Sequence, residues 1–305
     1  MQVTANKLYV SATQKLFYCN FKIKIPNEAK ASLLLKECFD FLHRVDQRYN
    51  SYQPGSFFWQ INKNAGTWVP VDSSCIDMLN YTLKLSVITK GAYDISCMPL
   101  LRMWGFYDLH NLQIPTKDAI KETLKKVDYQ QIEIKNGMVR IPKDFELITG
   151  SFIKSFAVDC LIDFLKTKGI TDAIINAGGS TFFALNDAAH PQWKVNIPFP
   201  TNASQMMKIP LTNQAFSLSG TIHNNRIING KSYGHILNSD TGHPALTKQV
   251  GILNKQAWHA DVLSTALFCV GTEQHKHVIE TLLQTENFNY YRFNSDGSFN
   301  TNLCY

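Results

Sequence analysis

The chain has few charges, no closely spaced cysteine pair and no long apolar run, and each shortage removes a class of protein. Only 18% of its 305 residues are Asp, Glu, Lys or Arg, against 45% hydrophobic. That balance supports a buried core and excludes a disordered, highly charged chain. No stretch approaches the apolar length that spans a bilayer, so no membrane span is expected. No Gly-x-Gly-x-x-Gly stands between a strand pattern and a helix pattern, which argues against a Rossmann dinucleotide domain. Repeats, low-complexity tracts and Pro/Ser-rich linkers are also missing. The length allows one large domain or two intimately packed subdomains, and residues 1–305 read as a single unit.

Seven cysteines occur, at 19, 38, 75, 97, 160, 269 and 304, with no Cys-x-x-Cys among them. Most lie in apolar stretches, as Cys38 does in LLLKECFDFL. Buried free thiols in a reducing compartment are therefore expected, rather than disulfides or a zinc site. The opening MQVTANKLYVSATQ lacks the charged start and continuous apolar core of a secretory signal. The expectation is a cytoplasmic chain, or a periplasmic or membrane-anchored one where a leader has been removed. The net charge of +6 suits an anionic ligand such as a dinucleotide. Lys and Arg are scattered, without a basic run or basic–aromatic array, so nucleic acid is not expected as a partner.

Periodicity supplies a coarse plan. LFYCNFKIKI (16–25) reads as a strand, 28–46 as an amphipathic helix and NSYQPGS as a loop. A second helix runs from Ser73-Ser74 to Lys90-Gly91, and a third from about 154 to 168, closed by Gly169. DAIINAG, WKVNI, AFSLS and VGILN read as strands, followed by helices over about 260–269 and 273–283. Helices interspersed with isolated and sequential strands predict an α+β fold with mixed or antiparallel sheets and flanking helices.

Four segments are more polar or glycine-rich than a plain core requires. Ser51-Tyr52-Gln53-Pro54-Gly55-Ser56 is a turn. Gly91-Ala92-Tyr93-Asp94 sets an aromatic ring and a carboxylate side by side, and is equally a helix end before a core-packing Trp104. In TGSFIKSFAVD (149–159), small residues precede a helix whose first turn holds Lys154. A lysine there opposes the helix dipole, so a nearby anion would relieve the conflict. The stretch 217–244 is long, polar and rich in turns, and clusters Tyr233, His235 and Asp240-Thr241-Gly242. Soon after it, Asp261, Ser264 and Thr265 share one helical face by i, i+3 and i+4 spacing. One carboxylate and two hydroxyls are hard oxygen ligands suited to a magnesium ion that keeps waters and phosphate oxygens. The same residues equally read as an N-terminal carboxylate favouring the helix dipole, with Ser and Thr bonding to the preceding turn.

Taken in order, these segments resemble the ApbE family of FAD:protein FMN transferases, from about residue 11 to about 275. The matches are Ser51, Tyr52 and Ser56; Gly91-Ala92-Tyr93-Asp94 with Pro99-Leu100 and Trp104-Gly105-Phe106; Lys154 with Phe156-Ala157-Val158-Asp159; and Asn176-Ala177-Gly178-Gly179. They continue with Ser219-Gly220, His235-Ile236, Thr241-Gly242-x-Pro244 and Ala260-Asp261-x-Leu263-Ser264-Thr265-Ala266-Leu267. The resemblance implies an ApbE-like, T-fold-related architecture. It also implies transfer of FMN from FAD to a threonine hydroxyl of a client protein, an electron-transfer subunit, with release of AMP. Magnesium would lie on Asp261 and Thr265, with Ser151 and Ser264 assisting. Tyr52, Ala92, Tyr93, Asp94, Lys154, Gly178 and Gly179 would line the FAD site, and His235 would be the catalytic proton-transfer group.

The family's Met-Gly-Thr opening is matched here by Ala12-Thr13-Gln14-Lys15. Ile148, Ser155, Ser180 and Asn238 stand where the family pattern has other residues. These departures touch flavin–adenine contacts more than the magnesium face. They keep open two alternatives, a relative that binds a flavin nucleotide without turnover and an FAD pyrophosphatase.

Overall fold

The computed structural model describes residues 2–107, 113–202, 204–221 and 225–303. Cys304, and residues 222–224 of the polar stretch, lie outside the described residues.

The centre is a nine-stranded antiparallel sheet. Its strands, in spatial order, are β1 (Gln2–Ala5), β2 (Tyr9–Leu16), β3 (Cys19–Pro26), β7 (Ala173–Ala177), β8 (Thr181–Leu185), β11 (Gln214–Gly220), β16 (Gln249–Asn254), β17 (Asn289–Phe293) and β18 (Phe299–Thr301). Every pairing is antiparallel, from β1 with β2 to β17 with β18. The fold is thus α+β with antiparallel rather than mixed sheets. Small sheets surround it: β4 (Val69–Pro70) with β5 (Glu133–Lys135) and β6 (Met138–Arg140); β9 (Trp193–Pro198) with β10 (Met206–Leu211); β12 (Asn225–Ile228) with β13 (Lys231–Gly234); and β14 (Leu237–Asn238) with β15 (His243–Pro244).

Eight α-helices are described: α1 (Ala31–Tyr49), α2 (Phe57–Lys63), α3 (Ser73–Ile88), α4 (Met98–Met103), α5 (Lys117–Leu124), α6 (Ile153–Thr167), α7 (Ala257–Cys269) and α8 (Thr272–Thr285). In α1, Leu35, Cys38, Phe39, Leu42 and Val45 are buried at the spacing of one helical face, which is why an amphipathic pattern places it against the sheet. By contrast, eleven of the thirteen residues of α7 are buried. A helix apolar nearly all round must sit inside, and α7 lies between the sheet, α6 and α3.

The largest core cluster draws residues from Val10 to Tyr290 and fills the space between the helices and one face of the sheet. Phe182, Phe216 and Tyr291 on the reverse face pack under the β9–β10 hairpin. A third cluster, Met98, Leu100, Leu101, Trp104, Ile120 and Leu237, joins α4 and α5 to β14. No helix among the described residues is long and apolar enough to cross a membrane.

Three sequence expectations are corrected. The strand expected at 16–25 is two strands: Leu16 ends β2, and β3 begins at Cys19 after the two-residue turn Phe17-Tyr18. Both turn residues have positive φ, 49° and 59°. Glycine or asparagine normally takes such positions, so the sequence carried no turn signal there. The helix expected at 28–46 is displaced to Ala31–Tyr49, and the one expected from Ala260 already begins at Ala257. Of the thiols expected to be buried and free, Cys38, Cys75 and Cys269 are buried, whereas Cys19, Cys97 and Cys160 are half-buried.

Candidate active site

Helix α6 begins at Ile153, so Lys154 does lie in its first turn. The anion that offsets this cation is supplied by the protein itself. Lys154 Nζ donates to Asp261 Oδ2 at 2.5 Å, and the two side chains are only 16% and 4% exposed. The other carboxylate oxygen accepts from the Ser217 hydroxyl at 3.0 Å. Ser217 on β11 meets Thr181 of β8 at 3.1 Å. The hydroxyl of Ser219, two residues further along the same strand face, lies 2.9 Å from Ser264 and 3.2 Å from Thr265. Ser264 and Thr265 both donate back to the Asp261 carbonyl. The predicted face of α7 is thus assembled, and it looks onto a row of hydroxyls from the sheet.

Helix α6 holds α7 at a second point. Asp159, five residues after Lys154, accepts from the backbone N–H of Ala257 at 2.8 Å and of Trp258 at 2.9 Å. The residue preceding α7, Gln256, gives no side-chain cap, so Asp159 caps the helix from across the core. Burial pushes the Asp159 carboxyl up to about 7, against those two hydrogen bonds. One helix thus fixes both the end and the carboxylate of the other.

The remaining predicted residues fall into neighbouring groups. The Tyr93 hydroxyl lies 2.9 Å from the Ser151 hydroxyl. Burial holds the Tyr93 phenol well above its usual range, and the Asp261 charge adds to the rise. Ser151 therefore meets Tyr93, whose hydroxyl feels the charge of Asp261. Asp94 is buried, and its carboxylate accepts from Ser96 N and Oγ and from Tyr129 N, each at 2.7 Å. Burial raises it to about 6, and its hydrogen bonds bind the loop together. Ala92 is buried, and its carbonyl accepts from Ser239 N at 2.9 Å.

Gly178 and Gly179 follow β7 with φ of 69° and 72°. A Cβ on Gly178 would come within 2.9 Å of Cys19 Cβ, so both the backbone angle and the space require glycine. Cys19 itself feels the charges of Lys154 and Asp261, and burial pushes its thiol up to about 11. The Tyr52 ring stacks on Tyr107 at 5.5 Å and meets Tyr18 edge-on at 5.6 Å.

His235 follows β13, is half-buried and faces the Phe106 ring at 6.4 Å. The loop after it is tied down on three sides. Asn238 Nδ2 donates to the Cys269 carbonyl at the end of α7, the Ser239 N–H reaches Ala92, and Trp104 Nε1 donates to the Gly242 carbonyl at 2.8 Å. Asn238 Oδ1 also accepts from Thr241 N. Phe152 and Ile153 are buried in the main core, and Ile148 packs against the third cluster.

Among the described residues no group of three His, Cys, Asp or Glu gathers. A divalent ion here would have one protein carboxylate, Asp261, with hydroxyl oxygens beside it. That set fits magnesium, which takes few carboxylates and completes its shell with water and substrate phosphate. It does not fit zinc, which needs nitrogen or sulfur ligands. Sequence reasoning named no role for Ser217, Ser219, Thr181, Asp159 or Cys19. The alternation in AFSLS, which puts Ser217 and Ser219 on one strand face, was the signal available for two of them.

The description of the ApbE family matches residues 17–288 of this chain. The match starts at the Phe17-Tyr18 turn, beyond residues 12–15. A relative from Klebsiella pneumoniae (strain 342), named FAD:protein FMN transferase, is 26% identical over 268 residues, covering 83% of this chain and 75% of its own. One of the same name from Escherichia coli (strain K12) is 26% identical over 274 residues, 85% of this chain and 78% of its own. Among solved structures, the ApbE protein of Thermotoga maritima has a TM-score of 0.85 at 22% identity and covers 96% of both chains. The apo form of Pseudomonas stutzeri flavinyl transferase ApbE has a TM-score of 0.80 at 21% identity, covering 98% of this chain and 94% of its own. Both structural likenesses speak to the fold.

Proposed function

The chain belongs to the ApbE family, and on that premise we propose that it transfers FMN from FAD to a threonine hydroxyl of a client protein, releasing AMP. The observation that carries this reading is the buried Lys154–Asp261 pair, ringed by Ser217, Ser219, Ser264 and Thr265. A cation and a carboxylate among hydroxyls at the start of a helix form a site for a diphosphate and a hard metal ion. The names of the Klebsiella and Escherichia relatives support the same reaction.

In the transfer, the threonine oxygen bonds to the FMN phosphorus, and the bond from that phosphorus to the bridging oxygen of the diphosphate breaks. The electron pair leaves with the AMP phosphate. Asp261 and Thr265, with Ser151 and Ser264 assisting, would hold a magnesium ion, which neutralises diphosphate charge. Lys154, released toward the substrate, pairs with a phosphate oxygen. His235 takes the proton of the attacking hydroxyl, and the ties from Trp104 and Asn238 hold its loop still. Tyr52 and Tyr93 line the nucleotide site with Ala92 and Asp94, and Gly178-Gly179 lets the substrate approach the backbone. The client is of the electron-transfer subunit type, and the free thiols support a reducing compartment.

Incubation with FAD, Mg²⁺ and an acceptor protein tests the proposal, with AMP and protein-bound flavin both measured. AMP together with covalent flavin is the expected result. AMP with free FMN alone makes the protein an FAD pyrophosphatase. A second reading, flavin binding without turnover, is favoured by the engagement of both Asp261 carboxylate oxygens. Stoichiometric FAD binding with no AMP under any condition would select it.

A further inference from the structure

A second charged group is buried on the same side of the sheet, beyond α7. On β17, Arg292 is 1% exposed. Its Nη2 donates to the Thr247 hydroxyl at 3.0 Å and to the Val270 carbonyl at 2.7 Å. Its Nε and Nη1 have no hydrogen-bond partner among the described residues. Asp296 contributes an acidic charge from a fully exposed turn, where its carboxylate is taken up by Ser298. A guanidinium does not give up its proton in a protein, so burial without a counter-charge is costly.

Next to it, His275 is 7% exposed, and its Nε2 likewise lacks a partner. Burial, with the Arg292 charge adding to it, pushes this imidazole down to about 4, which keeps it neutral. His275 is the fourth residue of α8, whose preceding residue, Gly271, provides no side-chain cap. Two buried side chains with unpartnered nitrogens thus lie close enough for one to feel the other's charge, and one of them stands in the first turn of a helix.

We propose that Arg292, His275 and the first turn of α8 form a buried site for a small inorganic monoanion of halide size. A halide accepts from Arg292 Nε and Nη1 together, and from His275 in its Nε2–H form. It also provides the missing negative charge, which a neutral water does not. The neighbouring residues Thr247, Cys269 and Val270 are all at most 4% exposed, so a ligand with an organic tail has no way to extend. The occupied site links the end of α7 to Thr247, which closes the loop that starts at His235. Its role is to brace that loop from behind.

Crystals of the wild-type protein grown in bromide, with anomalous data collected at the bromine edge, test this directly. A peak within contact distance of Arg292 Nε and Nη1 and of His275 Nε2 is the expected result. At constant ionic strength, replacing gluconate with chloride should raise the melting temperature by about 2 °C per tenfold rise in chloride once the site fills. Arg292→Met, or Arg292→Lys where that variant fails to fold, should abolish the dependence. Bromide peaks on the surface only, a water at the site, or melting indifferent to chloride would each overturn the proposal.

Discussion

Removing Lys154 alone should damage this protein more than removing Lys154 and Asp261 together. In Lys154→Met the Asp261 carboxylate, 4% exposed, keeps only the Ser217 hydroxyl as a partner. Breaking a buried ion pair from one side costs about 3–5 kcal/mol, because a charge is left in a poorly solvated place. The 16% exposure of the lysine side chain places the loss near the lower end, at about 3 kcal/mol. In Asp261→Asn the amide oxygen still accepts from Ser217, and the lysine stem can carry its ammonium toward water. That variant should lose only about 1–2 kcal/mol. The double variant Lys154→Met/Asp261→Asn leaves no buried charge and should stay within about 1 kcal/mol of the wild type. The implied coupling is about 3–5 kcal/mol, well beyond the scatter of independent sites. Urea unfolding of the three variants beside the wild type measures it. Additive losses, or a Lys154→Met penalty like that of a surface pair, would refute the reasoning.

The cap on α7 gives a pH signature. Asp159 has its carboxyl raised to about 7 by burial, above the unfolded value near 4, so its stabilising contribution is full below about pH 4 and is lost as pH rises to about 7. Wild-type stability relative to Asp159→Asn should fall across that window and level off above it, as pH-dependent denaturation will show. Asp159→Ala leaves the N–H groups of Ala257 and Trp258 unpaired and should cost about 2–3 kcal/mol in the same assay. Trp104→Phe removes the hydrogen bond to the Gly242 carbonyl and should cost about 1–3 kcal/mol, with faster amide exchange in the 237–244 loop. Gly178→Ala combines a positive φ with a close approach to Cys19, and should lose about 1–2 kcal/mol by thermal melting.

The helices were the legible part of this fold. α1, α3, α6 and α8 carry apolar residues at helical spacing, and glycine or a cap residue marks their ends, so local chemistry located them to within a few residues. The short helices α2 and α4 received no element from the sequence, because seven or six residues do not establish a period. The β2–β3 hairpin escaped notice because Phe17 and Tyr18 hold angles that bulky residues rarely take. Strand order is a non-local property. Nothing in Cys19–Pro26 announces that its neighbour is Ala173–Ala177.

Much the same division applies to the site. The grouping of Asp261, Ser264 and Thr265 follows from helical spacing alone. That Lys154 would be the partner of Asp261, 107 residues away, does not. The sequence argument correctly placed a cation in need of an anion at the start of α6, and the chain supplies that anion from α7. Asp159 is the clearest omission. It stood in the matched Phe156-Ala157-Val158-Asp159 segment without a role, and only the packing of α6 on α7 shows which backbone groups it satisfies.

The most direct test of the site is a crystal structure of the protein with FAD and Mg²⁺. The account predicts a metal ion on Asp261 and Thr265, the diphosphate beside it, and Lys154 moved from the carboxylate onto a phosphate oxygen. Lys154 still locked to Asp261, with FAD bound elsewhere or not at all, would contradict it.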